Sequence, residues 1–222
     1  MSRLLVPYYE HPTHRPAEWA AIVAAAPRLY GVILNPASGP GEAPDPAFAE
    51  TAAQLRDAGG APSGGVRLLG YTDTDYGRRP YADVVQDLTR HRDWYGTDGA
   101  FLDQVTAGHD QFRHYQRLAK AAWGLGCGTL VLNHGTTPHP SYARIADVLI
   151  TFEGPWTTYR ELPPRPWHGT PGVRLGHLVH GVPPGADVEA VARARGASVH
   201  CAVPGVGDHP WGTLPHTLEP VP

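Results

Sequence analysis

Asp98-Gly99-Ala100-Phe101-Leu102-Asp103-Gln104 is a short apolar run that stops abruptly at a carboxylate and an amide. Four small or apolar residues between polar ends suit a strand buried on both faces, as in a parallel sheet. The acid at the strand's C-terminal tip suits chemistry. The same design recurs at Asp147-Val148-Leu149-Ile150-Thr151-Phe152-Glu153, which runs into Gly154-Pro155. Two such strands, each delivering one acid to a common rim, predict a paired-carboxyl site at the C-terminal mouth of a barrel of parallel strands.

Outward from these two strands, apolar runs alternate with polar, helix-like stretches along the whole chain, the rhythm of βα units. Strands are expected at 4–9, 30–35, 66–72, 99–103, 129–133, 148–153, 173–179 and 199–203. Helical spacing falls at 17–26, 46–58, 81–94, 110–123, 141–146 and 187–195. Pro46, Pro80 and Pro140 stand where first-turn prolines are tolerated, and Gly59-Gly60, Gly124 and Gly196 suit helix stops. The stretch 157–171 is rich in proline and shows no helical pattern, so the connection after the sixth strand is expected to be irregular. Residues 204–222 are expected to form a loop closing one end. The expected fold is therefore α/β, a TIM-like (β/α)8 barrel forming a single domain over residues 1–222.

Composition narrows the function. A net charge of −3 offers no basic stripe for nucleic acid. Mean hydropathy of −0.31 and the lack of any long apolar run argue against membrane insertion. Cys127 and Cys201 are too few for a disulfide framework and are expected to be buried thiols. The opening Met1-Ser2-Arg3-Leu4-Leu5-Val6-Pro7 leads straight into the first strand without a secretory pattern, so the chain as given is expected to be cytoplasmic, or secreted if a leader has been removed. The oligomeric state is left open.

In a parallel barrel, chemistry is built from what each strand ends with. The expected rim collects Tyr8 and Tyr9, Asn35, Tyr71 and Asp73, Asp103 and Gln104, Asn133 and His134, and Glu153, with His177, His180 and His200 adding from the last strands. Aromatic faces stack on sugar rings while amides and carboxylates fix hydroxyls, so Tyr8, Asn35, Tyr71, Asp73, Tyr76, Gln104, Asn133, His134, Trp156 and Trp211 are the expected substrate contacts. Asp103 and Glu153 are the catalytic pair, one carboxyl to protonate a leaving oxygen and one to act as nucleophile or to activate water. Each could instead cap the loop that follows it, and Asp73 and Asp75 could serve only to order theirs. Thirteen histidines raise the question of a metal, yet no HxH or HExxH spacing occurs, and no metal or cofactor is expected. No GxSxG elbow is present, and the loop around Ser38 lacks the lysine of a phosphate loop.

The chain resembles the spherulation-specific, or spherulin-4, family, which includes endo-acting α-galactosaminidases. The resemblance rests on Val6-Pro7-Tyr8-Tyr9, on Val32-Ile33-Leu34-Asn35-Pro36-Ala37-Ser38-Gly39-Pro40-Gly41 and on Leu69-Gly70-Tyr71-Thr72-Asp73-Thr74-Asp75-Tyr76-Gly77-Arg78-Arg79. It continues through Asp98 to Asp103, Val131-Leu132-Asn133-His134-Gly135-Thr136, Phe152-Glu153 and Pro210-Trp211-Gly212-Thr213-Leu214-Pro215. It implies a barrel with active-site acids at Asp103 and Glu153, and cleavage of α-linked galactosamine or N-acetylgalactosamine polymers, that is, an oligo- or polysaccharide substrate. Two departures stand out: Gln104 where the family pattern has a second acid, and His134 where it has proline. Gln104 cannot transfer a proton as a carboxyl would. Three functions therefore stay open: glycoside hydrolysis, a repurposed barrel enzyme of small-molecule or peptide biosynthesis, and a carbohydrate-binding barrel without turnover.

Overall fold

A computed structural model describes residues 3–59, 65–163 and 172–218. Eight parallel strands close into a barrel in chain order: β1 (Arg3–Pro7), β2 (Gly31–Leu34), β3 (Arg67–Asp73), β4 (Gly99–Asp103), β5 (Thr129–Asn133), β6 (Val148–Pro155), β7 (Arg174–His180) and β8 (Ala197–Ala202). The helices are α1 (Pro16–Ala25), α2 (Pro46–Gly59), α3 (Tyr81–Tyr95), α4 (Phe112–Gly124), α5 (Trp156–Glu161) and α6 (Val188–Ala194). This is the TIM-like barrel expected from the strand rhythm.

Strand alternation divides the core in two. Leu5, Ile33, Leu69, Phe101, Val131, Val148, Ile150, Leu178 and Val199 fill the barrel interior. Their neighbours Leu4, Val6, Leu68, Ala100, Leu102, Leu130 and Leu149 face the helices. Phe101 is 1% exposed, so truncation to Ala should cost about 3–5 kcal/mol. Gly99 lets the interior close: a Cβ there would lie 2.5 Å from Leu69 Cδ2 and 2.6 Å from the Thr129 carbonyl oxygen.

The acids at the two ends of β4 and β6 have separate jobs. At the N-terminal end, Asp98 accepts from the Leu68 N–H at 2.9 Å and Asp147 from the Leu130 N–H at 2.8 Å, each tying the start of its strand to a neighbour. Asp103 and Glu153 stand at the opposite end, where such barrels carry chemistry.

Helix starts and stops follow the local chemistry. Pro46 opens α2 beside Asp45, whose carboxylate accepts from the Ala47 and Phe48 N–H groups. Gly96 ends α3 in a left-handed conformation at φ 61°. Two expectations are corrected. The helix expected at 141–146 is a five-residue 3-10 turn, Pro140–Arg144, too short to propagate an α-helix, with His139 accepting from the Ser141 N–H. The proline-rich connection after β6 opens with α5, where Tyr159 is buried against Phe152; residues 164–171 of that connection lie outside the described residues.

After β8 the chain passes over the barrel mouth, where Asp208, His209 and Trp211 line the cavity and a 3-10 turn at Pro210–Gly212 seats Trp211, and then Leu214 and Leu218 pack on the helical layer; residues 219–222 lie outside the described residues. Cys201 is buried in the interior, whereas Cys127 is only partly covered, and both are free thiols. Among the described residues no helix is long and apolar enough to cross a membrane.

Candidate active site

The barrel's C-terminal mouth holds a cavity of about 470 Å³, lined from every side by strand ends and their loops. Tyr9 follows β1, Asn35 and Ser38 follow β2, Tyr71 stands on β3, Asp103 ends β4, Asn133 ends β5 and Glu153 stands on β6. Asp208, His209 and Trp211 descend from the loop after β8. That loop is anchored where the Tyr9 N–H donates to the Trp211 carbonyl at 3.1 Å.

The two acids are joined by one amide. Asn133 Nδ2 donates to Asp103 Oδ1 at 2.7 Å and also to Glu153 Oε2. Oxygens that each meet one nitrogen at hydrogen-bonding distance are no more than about 6 Å apart. The Tyr71 hydroxyl donates to Asp103 Oδ2 at 2.7 Å, and Trp211 Nε1 donates to Glu153 Oε1 at 3.1 Å. All four carboxylate oxygens are therefore engaged by neutral donors.

Their electrostatics differ. Burial pushes the Glu153 carboxyl up to about 7, the charge of Asp103 adds to the rise, and the bonds from Asn133 and Trp211 oppose it. Asp103 is also raised by burial, but Tyr71, the Gln104 N–H and Asn133 all favour its charged form. The pair thus contains a carboxyl that stays protonated near neutrality beside one better equipped to hold a charge. Burial and the neighbouring Asp103 raise the Tyr71 and Tyr9 phenols, so both remain neutral donors.

Of the expected contacts, Asn35, Tyr71, Asn133 and Trp211 line the cavity with the two acids. Asp73 sits beside Asp103 in strand register, outside the lining, and its charge works against ionisation of Asp103. The others lie elsewhere. Tyr8 is buried against Trp19 in the helical layer at a ring separation of 5.5 Å, and its neighbour Tyr9 takes the place in the cavity. Parity could have found this: Leu5 faces inward, so residue 9 does too and residue 8 does not.

The same rule removes His134 and Gln104, each one residue beyond an inward-facing side chain. His134 meets the Thr106 carbonyl through Nδ1 at 3.0 Å and packs edge-on to Tyr142. Gln104 has left-handed backbone at φ 52°, and its carbonyl accepts from the Tyr76 N–H and the Thr74 hydroxyl. Tyr76 is half exposed under the Arg78 guanidinium, and Trp156 packs on Tyr159 in the outer layer. His177 and His200 face the helical layer, while His180 meets Trp211 edge-on at 6.1 Å. Among the described residues no group of three or more His, Cys, Asp or Glu side chains is arranged to hold a metal ion.

Among the described residues, the non-glycine residues with positive φ are Ser38, Asp75, Tyr76 and Gln104, and all four lie in loops after β2, β3 and β4 at this mouth. Retained backbone strain of this kind collects at binding and catalytic sites.

A parallel eight-stranded barrel with paired carboxyls and aromatic walls at its C-terminal mouth defines a carbohydrate-related barrel protein. The chain belongs to spherulation-specific family 4, whose family model matches residues 3–213. It is 31% identical over 156 residues to spherulin-4 of Physarum polycephalum, a match covering 68% of this chain and 44% of that relative's length. In structure it is similar to Aspergillus clavatus Sph3, solved in complex with GalNAc, with a TM-score of 0.78 and 25% identity over 97% of this chain and 93% of that one. A dihydrodipicolinate synthase from Agrobacterium tumefaciens shares the fold at a TM-score of 0.52 and 12% identity, covering 90% of this chain and 69% of its own.

Proposed function

We propose that this protein is a glycoside hydrolase that cleaves α-linked galactosamine or N-acetylgalactosamine polymers, with Asp103 and Glu153 as its catalytic carboxyls. The observation that carries the reading is the Asn133 amide bridging the two acids. Carboxyls about 5–5.5 Å apart suit a retaining, double-displacement route, whereas inverting pairs stand about 6.5–9.5 Å apart to admit a water. A shared donor favours the closer range.

In this mechanism Glu153, protonated up to about 7, gives its proton to the leaving glycosidic oxygen. Asp103 attacks the anomeric carbon, and the bond to the leaving sugar breaks as the glycosyl–Asp103 ester forms. Glu153, now ionised, removes a proton from water, whose oxygen displaces Asp103 and releases the sugar. Tyr71 and Asn133 hold the attacking carboxylate, and Tyr9, Tyr71 and Trp211 supply flat walls for the ring. The likeness to Sph3, solved with GalNAc, supports an amino-sugar ligand. Gln104 is absent from the cavity lining, so an amide at that position leaves the paired-acid chemistry intact.

Incubation with α-linked galactosamine and N-acetylgalactosamine oligomers, followed by mass spectrometry of the products, tests the reading. Shorter oligomers should appear with wild-type protein and not with Glu153→Gln. Binding of these oligomers without cleavage would instead identify a carbohydrate-binding barrel, and neither binding nor cleavage would point to a different substrate.

A further inference from the structure

Glu153 reaches the cavity only because β6 breaks its own alternation. Val148 and Ile150 face the barrel interior and Leu149 faces the helices. A regular continuation would turn Phe152 inward and Glu153 outward. The register against β7 instead slips at Thr151: Ile150 pairs with Gly176, Phe152 with His177 and Glu153 with Leu178. The extra residue is a β-bulge, a device that re-aims side chains beside active sites. Phe152 goes out to pack on Tyr159 at 4.6 Å, and Glu153 goes in.

The outward side of this bulge is held by polar groups that take no part in the chemistry proposed above. Thr151 Oγ1 bonds to His177 Nε2 at 3.1 Å, and His177 Nδ1 bonds to the Tyr159 hydroxyl at 2.7 Å. Tyr159 is fixed in turn by Arg195, whose guanidinium lies 4.4 Å over its ring and donates to its carbonyl. Burial, with Arg195 and His200 nearby, depresses His177 to about 4, so the ring is neutral at physiological pH and bonds each hydroxyl through one nitrogen. A strand interior gains nothing in packing from a buried imidazole that an aliphatic side chain would not supply. What the imidazole adds is a fixed link between bulge and helix.

We infer that Thr151, His177 and Tyr159 form a positioning relay that sets the bulge of β6 and thereby the place of Glu153. The inference rests on the paired-carboxyl reading of Glu153 only for its kinetic consequence; the geometric consequence can be read without turnover.

The test is a carboxyl ¹³C NMR titration of Glu153 in wild type, His177→Leu, His177→Gln and Thr151→Val, with folding checked by circular dichroism and melting. His177→Leu and Thr151→Val should let Glu153 become more exposed, moving its midpoint down from about 7 toward the ordinary carboxylate range. His177→Gln, whose amide can bond both hydroxyls, should keep the wild-type midpoint. In assays of the proposed hydrolysis the first two should lose about 10-fold or more in kcat with little change in KM. His177→Ala should regain activity with added imidazole, because a cavity of about 210 Å³ lined by Thr151, Phe152, Tyr159 and His177 adjoins the relay. An unchanged Glu153 midpoint in Thr151→Val and His177→Leu would overturn the relay. If His177→Leu fails to fold, Thr151→Val, which removes one hydroxyl, decides the question. A wild type that cleaves no amino-sugar polymer would remove the proposed reaction, and the titration would still judge the relay.

Discussion

β4 and β6 bring one acid each to the same cavity by opposite means. β4 is regular: its register with β3 runs unbroken from Leu69–Gly99 to Asp73–Asp103, and Phe101 and Asp103 face inward by simple alternation. β6 needs a bulge to present Glu153. The difference extends to protonation. Asp103 receives Tyr71, Asn133 and the Gln104 N–H around its carboxylate, whereas Glu153 has Asn133 and Trp211 against burial and the charge of Asp103. A regular strand end thus carries the group suited to hold charge, and a bulged one carries the group suited to hold a proton. In the hydrolysis proposed above, environments that push two like groups apart in this way would make Glu153 the acid and Asp103 the nucleophile.

The largest effect that could break the comparison is loss of either acid. Asp103→Asn and Glu153→Gln should each lower kcat by at least about 10²-fold while the barrel folds. Steady-state rates on an amino-sugar oligomer check this, and an unchanged rate in either variant ends that residue's catalytic role. If the roles are divided as above, an added small nucleophile such as azide should restore product formation in Asp103→Asn, with a glycosyl azide as product. The same addition should not do so in Glu153→Gln when the leaving group is a sugar.

Acidity sharpens the comparison next. A general acid with a midpoint of about 7 makes kcat/KM fall as pH rises through neutrality. Stability should follow the same direction. A folded-state value above the ordinary glutamate value of 4.5 means that the native protein binds the extra proton, so this stabilisation is full below about 4.5 and is lost as pH rises through about 7. Melting of wild type compared with Glu153→Gln across pH 4 to 8 should shift in favour of the variant, by no more than about 3 kcal/mol. A constant difference across that range would place the Glu153 carboxyl in the ordinary range and dissolve the contrast with Asp103.

Trp211 and Asn133 act on the two acids unequally, and the third prediction uses that. Trp211→Phe removes a donor from Glu153 alone, so the alkaline limb of the rate profile should move to higher pH with about a 10-fold loss of rate. Asn133→Ala removes a donor from both acids. Its acid and alkaline limbs should therefore both move up. Identical profiles for the two variants would show that the amide does not bridge the pair in solution.

Most of the barrel was legible because its strands are short apolar runs punctuated by glycine, proline and polar ends, and a two-residue period survives tertiary packing. Asp103 was legible for the same reason. Glu153 was found by its place after an apolar run, but the bulge that makes its direction correct leaves no mark in Val148-Leu149-Ile150-Thr151-Phe152. Tyr8 and Tyr9 both fall on the expected rim and Tyr8 alone among the expected substrate contacts, although counting from Leu5 separates them in favour of Tyr9. Placement of Tyr76 and Trp156 depended on loop conformation and on α5, whose sequence is dominated by the prolines that follow it. Side chains on regular strands can be read by parity; those on loops need coordinates.

The smallest expected effect concerns Gln104, the neighbour of the better-placed acid. Its left-handed backbone lets its N–H favour ionised Asp103 while its carbonyl accepts from Tyr76 and Thr74, so the residue acts on the site through its main chain. Gln104→Glu adds a negative charge next to Asp103, in the same sense as Asp73, and should move the acid limb slightly upward with less than about a 3-fold change in rate. Gln104→Gly keeps every main-chain bond and removes the steric cost of positive φ. It should raise stability by about 0.5–1 kcal/mol at nearly unchanged activity. Rate loss in Gln104→Gly comparable to that of Trp211→Phe would show that the Gln104 side chain, and not its backbone alone, serves β4. The regular strand would then depend on a neighbouring side chain for its acid just as the bulged strand does.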